Sequence, residues 1–190
     1  MGFAIAGHLA DLGAQVILIC GPVSLKLNHP GIQRVDVISA DQMFEECIKY
    51  FQGCDGAVMT AAVADYAPVI MEREKIKRQE GNLILELRPN RDIAATLGVL
   101  KRPDQVLVGF ALESQNEVEN ALSKLKRKNL DLIVLNSLQD KGAGFGFDTN
   151  KISILTRSGE TIHYPLKSKQ EVAKDIVDCM VEAAQFMSER

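Results

Sequence analysis

Short apolar runs separated by stretches of helical period constrain this chain more than any other feature. Val106-Leu107-Val108-Gly109-Phe110 and Leu132-Ile133-Val134-Leu135 carry no polar side chain on either face, so a strand made of them must be covered on both sides. Earlier short strands are expected at Gln15 to Cys20, Arg34 to Ile38 and Asp55 to Met59, and a later one at Leu83 to Leu87. Helical periods lie between them: Gly2 to Leu12, Gln42 to Phe51, Ile93 to about Leu100, and Asn116 to Lys128. In the last, Val118, Ala121, Leu122 and Leu125 fall at i, i+3, i+4 and i+7. Ser39 or Asp41 can cap the second helix and Asp92 the third, while Gly13 and Asn129 suit helix ends.

This alternation predicts an α/β fold: a Rossmann-like, mostly parallel sheet with helices on both faces. Near the end the pattern changes. A glycine-rich loop, Gly142 to Gly146, leads to two strands, Lys151 to Thr156 and Thr161 to Tyr164. Arg157-Ser158-Gly159-Glu160 joins them as a turn, so a late antiparallel hairpin is expected at the sheet edge. Ser168 and Glu171 have capping-box spacing for a final helix that runs to about Met187.

A length of 190 residues with 46% hydrophobic content suits one domain with a substantial core. The net charge of −3 disfavours a general nucleic-acid binder. No apolar run approaches the ~20 residues of a membrane helix, so no membrane partner is expected. Cys20, Cys47, Cys54 and Cys179 form no Cys-x-x-Cys pair and have no histidine spaced for zinc. Reduced thiols and a cytoplasmic location are expected.

In open parallel sheets, ligands sit beyond the carboxyl ends of the strands. Ala61, Phe110 with Ala111, and Asn136 occupy such positions here and are expected to be neighbours in space. The stretch Thr60-Ala61-Ala62-Val63-Ala64-Asp65-Tyr66 combines small residues, which let a ligand approach the backbone, with an acid. Asp65 suits a ribose hydroxyl or an amine, and equally a turn. Ten residues on, Glu74-Lys75-Ile76-Lys77-Arg78 is either a solvated face or a phosphate grip. Lys124 and Lys128 share one helix face and either complement the helix dipole or clamp phosphates. The loop at Gly142 precedes a strand, whereas a dinucleotide fingerprint opens a helix, and no Walker loop is present. His8, His29 and His163 are scattered, with no Ser/His/Asp or Cys/His grouping.

Taken in order, these pieces resemble the phosphopantothenoylcysteine synthetases, which form the second half of the bacterial bifunctional coenzyme A biosynthesis flavoproteins. The resemblance rests on Thr60 to Tyr66, Glu74 to Lys77, Asn90 with Asp92-Ile93, Val108 to Glu113, Lys128 to Asp131, and Gly144-Phe145-Gly146 with Asp148 and Asn150. It runs from Met1 to about Met187. It implies a single ligase domain over residues 1–190 that joins 4′-phosphopantothenate to cysteine. CTP activates the carboxylate as an acyl-cytidylate, with Mg2+ accompanying the triphosphate. The resemblance further implies Ala61, Asp65, Asn90, Asp92, Phe110, Lys124 and Lys128 as nucleotide contacts. Lys75 is implied as the catalytic lysine of a mobile flap that also meets the nucleotide. A homodimer is implied, and FMN is not expected in this domain.

The chain departs from the pattern at three places. Arg91 replaces a usual proline, and Asn136-Ser137 stands where Asn-Asp is common. The first strand and phosphate loop that precede the position of Met1 in the family do not occur, so a shortened domain, inactive by itself, is an expectation. Two other readings are a Rossmann-type NAD(P)-dependent oxidoreductase, disfavoured by the missing fingerprint and missing Tyr-x-x-x-Lys, and a non-catalytic nucleotide-binding domain.

Overall fold

The computed structural model describes residues 1–72, 74–78, 80–113, 115–137 and 147–188. In chain order the elements are α1 (Gly2–Asp11), β1 (Val16–Cys20), β2 (Ile32–Asp36), α2 (Ala40–Phe51), β3 (Gly56–Met59), β4 (Tyr66–Pro68) and β5 (Leu87–Pro89). There follow α3 (Ile93–Leu100), β6 (Val106–Glu113), α4 (Glu117–Arg127), β7 (Leu132–Ser137), β8 (Thr149–Asn150), β9 (Ile152–Thr156), β10 (Thr161–His163), β11 (Lys167–Ser168) and α5 (Lys169–Ser188).

The main sheet has the order β10-β9-β7-β6-β3. Strands β3, β6 and β7 are parallel, and β9 and β10 add the antiparallel hairpin at one edge. The all-apolar strands sit where the sequence requires, in the middle. Alternate residues of β6 serve opposite faces: Val106 and Val108 pack with Ile5 of α1 and Val172, Ile176 and Val177 of α5, while Leu107 packs with Leu97, Leu125 and Ile133. Each such side chain contributes roughly 1.5–3 kcal/mol on full burial.

Strands β1 and β2 form a separate parallel pair. Among the described residues β1 pairs only with β2, and β3 only with β6, so the layer is split between them. Helix α2 spans the split: Phe44, Cys47 and Ile48 share one apolar cluster with Ile19 and Val35 on one side and Ala57 and Met59 on the other. A short antiparallel pair, β4 with β5, stands apart as the base of an exposed connection.

The amino ends of β6 and β7 are held by a buried charge. Asp131, with a side chain 2% exposed, takes Lys101 Nζ at 2.6 and 2.7 Å and the Leu107 N–H at 2.8 Å. Nearby, buried Gln105 donates to the carbonyls of Phe51 and Cys54, both at 2.7 Å.

Several expectations shift. The second strand lies at Ile32–Asp36, two residues earlier than Arg34 to Ile38, because its register is set against Val16–Cys20. Leu83 to Glu86 are outside any strand, and pairing begins at Leu87 opposite Pro68. Val118 is exposed; only Ala121 and Leu125 of its apolar stripe are fully buried, since α4 meets β6 and β7 through its later turns. The glycine-rich loop Gly142 to Gly146 lies outside the described residues. Among those residues, no helix is long and apolar enough to cross a membrane.

Candidate active site

A cavity of about 450 Å³ opens beyond the carboxyl end of β3 and over the middle of β6. Its floor is Met59 and Gly109 with Phe110, and the two strands pair side by side at Met59 and Gly109. One wall is the turn after β3, from Ala61 to Tyr66; the facing wall is the segment from Pro89 to Ala94; the end of α4 closes the third side. Ala61, Asp65, Asn90, Asp92, Phe110, Lys124 and Lys128 all line this one space. Lys75 does not line it. That lysine is exposed on the connection between β4 and β5. Asn136 also lies away from the cavity wall, and its Oδ1 accepts from Asn150 Nδ2 at 3.3 Å. The expected grouping of three strand ends is therefore not met: Ala61 follows the end of β3, Phe110 lies within β6, which runs on to Glu113, and Ala111 and Asn136 do not line the cavity.

Asn90 ties the two long walls together. Its backbone N–H donates to the Asp65 carbonyl at 2.8 Å, and its Nδ2 donates to the Ala64 carbonyl at 2.8 Å. Its Oδ1 is buried and accepts no hydrogen bond among the described residues. A buried acceptor without a donor is costly, which makes it a natural anchor for a ligand N–H or O–H.

Asp92 is the N-cap of α3, accepting from the Ala95 N–H at 3.0 Å, and it also holds Lys128 Nζ at 3.0 Å. Burial works to raise the Asp92 pKa, but the Ala95 N–H and the Lys128 ammonium outweigh it, and the carboxyl titrates below its ordinary value. Lys124 Nζ meets Glu113 Oε1 at 2.5 Å, and Asn120 Nδ2 donates to the same carboxylate at 3.2 Å. Both pocket lysines are thus held by carboxylates of the chain itself. Lys128 lies just past the end of α4, so dipole complementation and cavity lining coincide in one residue.

Glycines permit the close approaches that shape the site. A Cβ on Gly98 of α3 would run into the Lys128 carbonyl, and one on Gly109 would strike the Leu130 side chain. A Cβ on Gly2, at the start of α1, would crowd the Thr60 hydroxyl beside the turn wall.

The sequence reasoning missed two polar arrangements. One is Glu113, whose link to Lys124 crosses from β6 to α4. The other is Arg91, whose guanidinium stacks at 3.8 Å on Phe44 and reaches Glu45 at 2.8 Å and Asp41 at 3.4 Å. A signal for the second exists: Asp41, Phe44 and Glu45 recur at i, i+3 and i+4 and so face the same way from α2.

Residues 1–184 match the family described as DNA/pantothenate metabolism flavoprotein C-terminal domain. The chain is 40% identical over 190 residues to the Coenzyme A biosynthesis bifunctional protein CoaBC of Bacillus subtilis (strain 168), covering all of this chain and 47% of that protein. It is 51% identical over 177 residues to a protein named Cysteine/Cysteine sulfinic acid decarboxylase from an unknown prokaryotic organism, covering 93% of this chain and 49% of the other. The chain spans about half the length of these curated relatives. Among solved structures, the C-terminal domain of a CoaBC protein superposes with a TM-score of 0.79 at 34% identity, covering 99% of this chain and 82% of that one. The Rossmann-like architecture and the match over residues 1–184 place the chain in the DNA/pantothenate metabolism flavoprotein C-terminal domain family, with the C-terminal domain of a CoaBC protein as a structural relative.

Proposed function

We propose that this chain is the ligase domain that joins 4′-phosphopantothenate to cysteine at the expense of CTP, as a step of coenzyme A biosynthesis. The observation that carries the reading is the convergence of Ala61, Asp65, Asn90, Asp92, Phe110, Lys124 and Lys128 on one cavity, although they come from segments far apart in the chain. Its chemistry suits a nucleoside triphosphate. Phe110 offers an apolar face for the base, the unpaired Asn90 Oδ1 accepts from a base or ribose donor, and the two lysines at the end of α4 meet phosphate charge.

The reaction has two displacements. A carboxylate oxygen of phosphopantothenate attacks the α-phosphorus of CTP and pyrophosphate leaves, giving the acyl-cytidylate. The cysteine amine then attacks the acyl carbon, loses a proton, and CMP leaves. The contribution of the protein is positioning and charge neutralisation. Among the described residues no group of three or more His, Cys, Asp or Glu side chains could hold a metal. Mg2+ in this reading would accompany the triphosphate and offset part of its charge.

Lys75 acts from the connection between β4 and β5, which must fold over the cavity to bring the ammonium to the phosphates. The connection is charged in its middle, but both of its ends carry exposed apolar side chains: Met71 is 88% and Ile84 is 89% accessible. Side chains of this kind on a projecting segment support a homodimer in which the segment lies against the partner.

The test is pyrophosphate release from CTP, with 4′-phosphopantothenate, cysteine and Mg2+, alongside calorimetric CTP binding. Lys128→Ala is expected to weaken CTP binding by at least about tenfold. Lys75→Gln is expected to leave binding near its original strength while lowering turnover by about a hundredfold or more. Absence of CTP binding by the unaltered chain, or equal turnover with and without Lys75, defeats the respective assignment.

A further inference from the structure

We propose that Arg91 is a positioning residue, whose clamp on α2 holds the Asn90–Asp92 wall of the cavity in register with the Ala61–Asp65 turn. The inference rests on the nucleotide reading of that cavity.

Three consecutive residues leave β5, and each is anchored in a different direction. Asn90 is bonded to the carbonyls of Ala64 and Asp65. Asp92 caps α3 and holds Lys128. Arg91, between them, reaches to α2 on the third side. There Phe44 supplies a flat face at 3.8 Å, Glu45 an oxygen at 2.8 Å and Asp41 an oxygen at 3.4 Å. Asp41 also takes Arg88 Nη2 at 2.7 Å, so one carboxylate serves both β5 and the wall that follows it.

This receptor matches a guanidinium. A planar guanidinium lies over a ring while its Nη2 meets two carboxylates, whereas an ammonium provides the charge without the planar face. The receptor also needs its guest. Asp41 and Glu45 stand four residues apart on one helix face, where like charges repel. The Arg91 side chain is 45% exposed, so solvent weakens its ion pairs without removing them, and the ring contact and the two carboxylates share the clamp.

A proline at position 91 is the local alternative to this clamp. Proline fixes its own φ through a covalent ring. Arg91 fixes the same wall by a tertiary contact, which makes the wall in this chain responsive to salt and to the integrity of α2.

Arg91→Ala, Arg91→Lys and Arg91→Pro in the full chain test the proposal with two readouts. The first, without ligand, is hydrogen exchange at the Asn90 and Ala95 amides, which donate to Asp65 and Asp92. The second is the CTP dissociation constant at about 50 and about 300 mM salt. Arg91→Ala is expected to speed exchange at both amides by about tenfold and weaken CTP binding by about threefold to tenfold, with little change in the global unfolding midpoint. Arg91→Lys should fall between, and it supplies the comparison if the alanine variant does not fold. Arg91→Pro should keep slow exchange and flatten the salt dependence. Unchanged exchange in both Arg91→Ala and Arg91→Lys overturns the proposal, and so does lost CTP binding with unchanged exchange, which makes Arg91 a direct ligand contact. Faster exchange in a chain that never binds CTP upholds the clamp and defeats the nucleotide reading.

Discussion

Asp131 and Asp92 are two aspartates with different residue-scale consequences. Asp131 is buried at the amino end of β7 with Lys101 and the Leu107 N–H as partners. Truncating it leaves a buried ammonium and a strand N–H unpaired, so Asp131→Ala should cost about 3–5 kcal/mol in denaturant unfolding. A charge-free replacement of both partners should cost much less. Asp92 titrates below its ordinary value because the Ala95 N–H and Lys128 outweigh the cost of burial. A depressed native pKa stabilises the fold fully above the unfolded value, and that stabilisation is lost as pH falls through the native one. Melting temperature measured from neutral pH downward should therefore drop more steeply below about pH 4 in the unaltered protein than in Asp92→Asn. Cys47, on the apolar face of α2, has its thiol pushed up to about 11 by burial, with Glu46 adding to the effect. It should resist alkylation at neutral pH until the protein unfolds, which mass spectrometry of labelled peptides will read.

Among the elements, helix caps were the most legible in the sequence. Ser39, Asp92 and the Ser168–Glu171 box all cap as their spacing implies, since each device is local. The central strands were equally legible, because an all-apolar run has one place to go in an α/β layer. The register of β2 and the start of β5 were not, for both are set by partners distant in the chain. The same limit separates the site residues. Those at strand ends could be placed from topology, whereas the links from Glu113 to Lys124 and from Arg91 to α2 depend on how helices lean on the sheet. One element contact offers a sharp test. Gly98 lets α3 touch the backbone at Lys128, and Asn129 Nδ2 donates to the Gly98 carbonyl at 2.6 Å. Gly98→Ala should push the two segments apart and cost about 1–3 kcal/mol despite the better helix propensity of alanine. CTP binding should weaken with it, because Lys128 moves.

On the scale of the whole molecule, the connection between β4 and β5 exposes apolar side chains at both of its ends. Met71 and Ile84 on a monomer surface invite association. Sedimentation of the chain is expected to give a dimer, and the double change Met71→Glu with Ile84→Glu a monomer that keeps its fold by circular dichroism. A dimer unaffected by both charges would place the interface elsewhere. The cavity raises a separate point about ionic strength. Lys124 is paired with Glu113 and Lys128 with Asp92, while Arg88 and Arg91 together face Asp41 and Glu45. An approaching polyanion therefore meets balanced pairs and little long-range field, so steering adds little to its rate of encounter. Added salt loosens the internal pairs while it screens the incoming phosphates, and the two effects oppose. The affinity of this pocket for a triphosphate should consequently fall less with salt than its number of cations alone would suggest.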